Sequence, residues 1–164
     1  MKKYRKALPL LCAALLCLLT ACGGSESKVR DDLSAEDVSN SVAAVLTQDS
    51  FATAPDSYIS GSMKMDLSGY KSSEVKINSK GVNIDEIGVF QGNDAAQAAE
   101  IKQAVEDYLQ RYKDRWVPAY MPGERPKLDS AEVKVIGNYV MYAILSDSDR
   151  TAAFDAFEKV LLQA

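Results

Sequence analysis

The sequence predicts an α+β fold, in the order α-β-β-α-β-β-α, with an antiparallel sheet of two hairpins packed with helices. Three observations carry this expectation. Apolar residues recur at helical spacing along 95–116 and again near the C-terminus. Short alternating runs of strand type lie between those stretches. The pair Gly137-Asn138 separates two such runs and tolerates the positive φ that a tight hairpin demands. Each element has one apolar face, and layering helices on a sheet buries all of them at once.

The chain opens as an export signal would. Lys2, Lys3, Arg5 and Lys6 come without an acid, and 7–20 is almost wholly apolar. A membrane span needs roughly 20 apolar residues, whereas this run is broken by Pro9 and ends in small side chains. Leu19-Thr20-Ala21-Cys22 resembles a bacterial lipobox, in which the cysteine is lipidated and becomes the first residue of the mature chain. An ordinary signal leaving a free thiol, and an uncleaved anchor helix, are the alternatives. One acyl chain holds a protein only marginally, so lasting attachment takes two, as a diacylglyceryl thioether at Cys22 would supply. The expected organisation is a signal over 1–21, a flexible tether over 22–33 and a single domain over 34–164. The expected location is the outer, extracytoplasmic face of the cell membrane.

Within the domain, Ser34 with Asp37 three residues on makes an imperfect capping box, and Val38, Val42, Val45 and Leu46 share a stripe, predicting a helix over 34–48. Residues 49–73 are rich in Ser and Gly and hold Pro55; Met63, Met65 and Leu67 alternate weakly, so an edge strand and a looser packing segment both remain open. Glu74 to Asn78 alternates, Ser79-Lys80-Gly81 punctuates, and 84–91 resumes as an apolar strand. Asp94 with Gln97 starts a long helix whose stripe runs Ala98, Ile101, Val105, Tyr108, Leu109, Tyr112, Trp116, until Pro118 and Pro122 end it. The second hairpin is 132–136 and 139–145; its second arm is apolar on both faces, as a doubly covered central strand would be. Ser146 to Asp149 then opens a last helix with a stripe of Ala153, Phe154, Phe157, Val160 and Leu161.

Asp85-Glu86-Ile87-Gly88-Val89-Phe90, then a helix, Tyr120-Met121-Pro122, Gly137-Asn138-Tyr139-Val140 and a closing helix resemble the small bacterial lipoproteins that carry a domain of unknown function. The resemblance covers about 67–160. It implies membrane anchoring and brings no catalytic residues.

Composition narrows the chemistry. Without residues 1–21 the chain has 143 residues, with 15 basic against 23 acidic side chains, a formal charge of −8. That balance argues against nucleic acid and against electrostatic adhesion to anionic lipid. Cys12 and Cys17 fall in the signal, Cys22 is the single mature cysteine, and histidine is absent. Cys/His nucleophiles, His acid/base catalysis and the usual zinc sets are therefore removed, and no metal, cofactor or catalytic residue is expected.

Arg111, Tyr112, Arg115, Trp116, Tyr120 and Met121 form the one cluster with the composition of a binding surface, since Trp, Tyr and Arg dominate hot spots. Tyr112 and Trp116 also read as core residues. Asp85 and Glu86, neighbours entering a strand, are expected to close a turn and to be solvated or paired. Ser60 with Lys64, and Ser73 with Lys76, have the composition but not the context of a Ser-Lys nucleophile. Asp147 and Asp149 lack the rest of a calcium loop and suit a helix N-terminus. The leading expectation is a lipid-anchored, non-catalytic module binding a partner protein or small ligand. A hydrolase gathering Asp66, Glu86 and Asp129, or a self-associating surface protein, are the alternatives.

Overall fold

The fold was obtained as a computed structural model, which describes residues 28–47 and 50–163. The expected signal and lipobox, Leu19, Thr20, Ala21 and Cys22, lie outside the described residues.

The fold is α+β. Five strands form one antiparallel sheet in the order β2-β3-β4-β6-β5: β2 (Phe51–Thr53), β3 (Ser72–Asn78), β4 (Glu86–Gln91), β5 (Glu132–Ile136) and β6 (Tyr139–Ile144). The two expected hairpins are β3–β4 and β5–β6, and they join through β4 against β6, with Gly88 opposite Tyr142. Of the turn pair only Gly137 takes a positive φ, +56°. Every residue of β4 and β6 is buried, because helices cover both faces of the sheet.

One face packs Val75, Phe90, Val140, Tyr142 and Ile144 beneath α3 (Ala95–Arg115), with Leu128 of the short α4 (Arg125–Asp129). Alternate residues of the same strands, Ile87, Val89, Tyr139, Met141 and Ala143, pack against α1 (Ala35–Ala43) and α5 (Asp147–Leu161). The capping box at Ser34 is present in both directions, and Asp94 accepts from the Gln97 amide at 2.8 Å to start α3.

At four places the structure departs from these expectations, decides between them or adds to them. First, α1 stops at Ala43 instead of running to 48, and Val45 is 51% exposed. The Thr47 amide and hydroxyl bond to Asp149 of α5, which draws the chain off the helix path. Second, the weakly alternating 63–67 segment is not a strand. A short turn, α2 (Asp56–Tyr58), widens into a π-type turn over Ile59–Met63 that ends at Lys64 with φ +54°, and Met63 and Met65 are buried. Third, α4 was not expected; Pro126 sits in its first turn, where a missing N–H costs nothing. Fourth, 28–33 is not free tether. Here β1 (Lys28–Val29) pairs with β7 (Leu162–Gln163), and the carbonyls of Asp31 and Leu33 accept from Gln91 and Tyr139.

Candidate functional site

Glu86 begins β4 and is 3% exposed, so the expectation of a solvated or ion-paired acid is corrected. Three tyrosines satisfy it. Tyr58 donates to Oε2 at 2.6 Å, Tyr108 of α3 donates to Oε1 at 3.0 Å, and Tyr142 of β6 also donates to Oε1. Burial pushes the Glu86 carboxyl above its usual range, and the three hydroxyl bonds only partly offset this. Burial and the adjacent carboxyl likewise push the Tyr58, Tyr108 and Tyr142 phenols up, so all three remain neutral donors. Asp85, next door, turns elsewhere and pairs with Lys127 of α4 at 2.7 Å.

The aromatic stack continues outward from this acid. Tyr142 and Tyr108 meet edge to face at 5.9 Å, Tyr108 and Tyr112 lie 6.0 Å apart, and Tyr112 and Trp116 are 6.1 Å apart. It leads to a cavity of about 350 Å³ at the C-terminal end of α3, roofed by the loop that follows. Its lining is Tyr58, Ser62, Tyr108, Arg111, Tyr112, Arg115, Trp116, Val117 and Tyr120. Five of the six residues of the expected cluster, Arg111, Tyr112, Arg115, Trp116 and Tyr120, line it. Met121 does not; it holds a positive φ of +48° in the loop beyond. No carboxylate lines the cavity.

The lining is rich in donors. Arg111 Nη2 donates to the Met63 carbonyl at 2.7 Å, while Arg111 Nε and Trp116 Nε1 are shut from solvent without an acceptor among the described residues. Neither Arg111 nor Arg115 pairs with a carboxylate among the described residues, although the neighbouring Arg125 and Lys127 both do. Burial pushes the Tyr112 hydroxyl up to about 12, so it too stays neutral.

The pattern of a sequence family described as a domain of unknown function (DUF4358) matches residues 57–145. The chain belongs to this family. No curated protein and no solved structure matches the chain. The DUF4358 segment contains Glu86, its three tyrosines and the entire cavity lining, whereas α1 and α5 lie outside it.

The other candidates are dispersed over the DUF4358 fold and its flanks. Asp66 accepts from the Ser68 amide at 3.0 Å, and Asp129 pairs with Arg125 at 2.7 Å, so neither bonds with Glu86. Ser60 donates to the Asp56 carbonyl, and Lys76 pairs with Glu74. Asp149 accepts from Thr47 and Ser146; burial pushes its carboxyl up, but these bonds outweigh burial and hold it below the usual range. Among the described residues no group of three His, Cys, Asp or Glu is placed to hold a metal, and no helix is long and apolar enough to cross a membrane. Reading the sequence missed the Glu86 cluster, because Tyr58, Tyr108 and Tyr142 stand 28, 22 and 56 positions away from that acid.

Proposed function

We propose that this protein is a lipid-anchored, extracytoplasmic binding module that takes a small ligand into the cavity at the end of α3. The observation that carries the reading is a concave site of about 350 Å³ with aromatic walls and two arginines. Binding sites are typically concave, mostly apolar and furnished with a few converging polar groups. A lining without carboxylates favours binding over acid-based hydrolysis.

Anchoring rests on the sequence of the leader, with Cys22 as the attachment point. Six residues, 22–27, precede β1, so the domain sits within about 20 Å of extended chain from the lipidated sulfur. Fatty-acid labelling of cells making the wild-type or Cys22→Ser chain tests the anchor: label should appear only in the wild type, and equal labelling would remove it.

The ligand half has its own reporter, since Trp116 is the single tryptophan. Titrating the detergent-solubilised full chain with small ring compounds of differing charge should change its fluorescence saturably for at least one of them. Filling the space with Ser62→Trp, followed by one-dimensional NMR of the aromatic region of each ligand, should abolish that binding. Silence from every ring compound would refute the cavity as a ligand site.

A further inference from the structure

Accepting the cavity as a ligand site, the proposal above, we infer that its ligand is a small oxyanion, carboxylate or phosphate, carried on a flat ring: Arg111 and Arg115 hold the charge, and Tyr112 and Trp116 hold the ring.

The charge argument starts from what surrounds the two arginines. Several bases on adjacent surfaces find carboxylates, Lys102 with Glu106, Arg125 with Asp129, and Lys127 with both Asp85 and Glu124, while Lys113 bonds to the Asp129 carbonyl. The two guanidiniums at the cavity find no carboxylate among the described residues. Two acids beside the aromatic wall are occupied. Glu124, on the loop side, accepts from Lys127 and from the Ile84 amide, and Glu86 lies behind Tyr58 and Tyr108.

Hydrogen-bond inventory points the same way. Arg111 Nε and Trp116 Nε1 are two buried N–H groups lacking acceptors, each an expensive vacancy in the folded protein. Those two atoms are closed to solvent, so a ligand meets the remaining guanidinium N–H groups at the cavity, which donate only and are complemented by acceptor oxygens. Guanidinium forks suit carboxylate and phosphate because both offer paired oxygens in a plane. The ring follows from the walls. Tyr112 and Trp116 lie tilted by 41° at 6.1 Å with Tyr120 beside them, faces against which a flat ring stacks.

Matched probes separate charge from ring. The detergent-solubilised full chain is titrated with benzoate, phenyl phosphate, benzamide, benzylamine and inorganic phosphate, with Trp116 fluorescence as the readout. The better of the two anionic ring compounds should bind on the order of tenfold more tightly than benzamide or inorganic phosphate, and the order of benzoate and phenyl phosphate identifies the oxyanion. Arg115 is exposed and unpaired among the described residues, so Arg115→Gln should fold normally. It should weaken the anions about tenfold and leave benzamide unchanged. Benzamide or benzylamine binding as well as both anions would overturn the charge assignment while leaving the cavity a ligand site. Inorganic phosphate matching phenyl phosphate would overturn the ring. Failure of every probe would overturn this inference together with the cavity reading on which it rests.

Discussion

Glu86 owes its partner Tyr142 to a side chain that is missing two residues along the same strand. Gly88 lies opposite Tyr142 across the β4–β6 ladder, and a Cβ there would fall 2.1 Å from Tyr142 Cε1. The ring lies over the glycine and carries its hydroxyl to the carboxyl of Glu86, which shares that face of the strand. The acid therefore titrates as a buried group, with consequences for stability. A carboxyl whose folded-state pKa is raised holds its proton more tightly folded than unfolded. Its cost is absent below the ordinary value of 4.5, grows as pH climbs from there toward the raised folded-state pKa, and stays constant above it. Glutamine has the shape of the protonated acid and no such cost. The stability of Glu86→Gln relative to wild type should therefore rise between pH 4 and pH 7 in urea unfolding followed by far-UV circular dichroism. A difference that does not vary with pH would refute a raised pKa.

At the scale of elements, what was legible in the sequence is what local chemistry decides. The long helix α3 announces itself through Asp94 at one end, prolines beyond the other, and a stripe whose members Ala98, Ile101, Val105, Tyr108 and Leu109 are all buried. The site residues Arg111, Arg115 and Trp116 were visible for the same reason, as one helix end of unusual composition. What was hidden depends on distant contacts. The three-residue β2 exists because β3 pairs with it, and β1 and β7 have two residues each and make sense only as each other's partner. The turn over Ile59–Met63 buries its first and last residues against the core with Gly and Ser between them, a pattern with no helical period. Since α3 is capped at one end and carries the proposed ligand site at the other, about 30 Å apart, the two roles separate. Replacing Asp94 with Ala removes the acceptor for the Gln97 amide and should cost about 1 kcal/mol of unfolding free energy. Trp116 fluorescence of the folded state should not change. An altered emission in the variant would mean that the cap and the cavity are coupled.

The whole molecule raises the question of how much of it the matched family segment needs. Residues 57–145 supply the sheet from β3 to β5, the face under α3 and the complete cavity. The opposite face of that sheet, with Ile87, Val89, Tyr139, Met141 and Leu145 each no more than 1% exposed, is covered by α1 and α5, which the family match leaves out apart from the chain leading into α5. Burying a large apolar side chain is worth about 1.5–3 kcal/mol. Uncovering five of them forfeits on the order of 10 kcal/mol, which equals the whole stability of an ordinary domain, about 5–15 kcal/mol. The polar seam would go with them, because Gln91 and Tyr139 anchor to the carbonyls of Asp31 and Leu33. Residues 57–145 expressed alone should therefore lack near-UV circular dichroism, bind a hydrophobic dye such as ANS and unfold without a cooperative transition, while 28–164 melts as one unit. Were 57–145 to melt cooperatively by itself, α1 and α5 would be additions to a self-sufficient core, and the burial on their side of the sheet would have to be worth far less than its area implies.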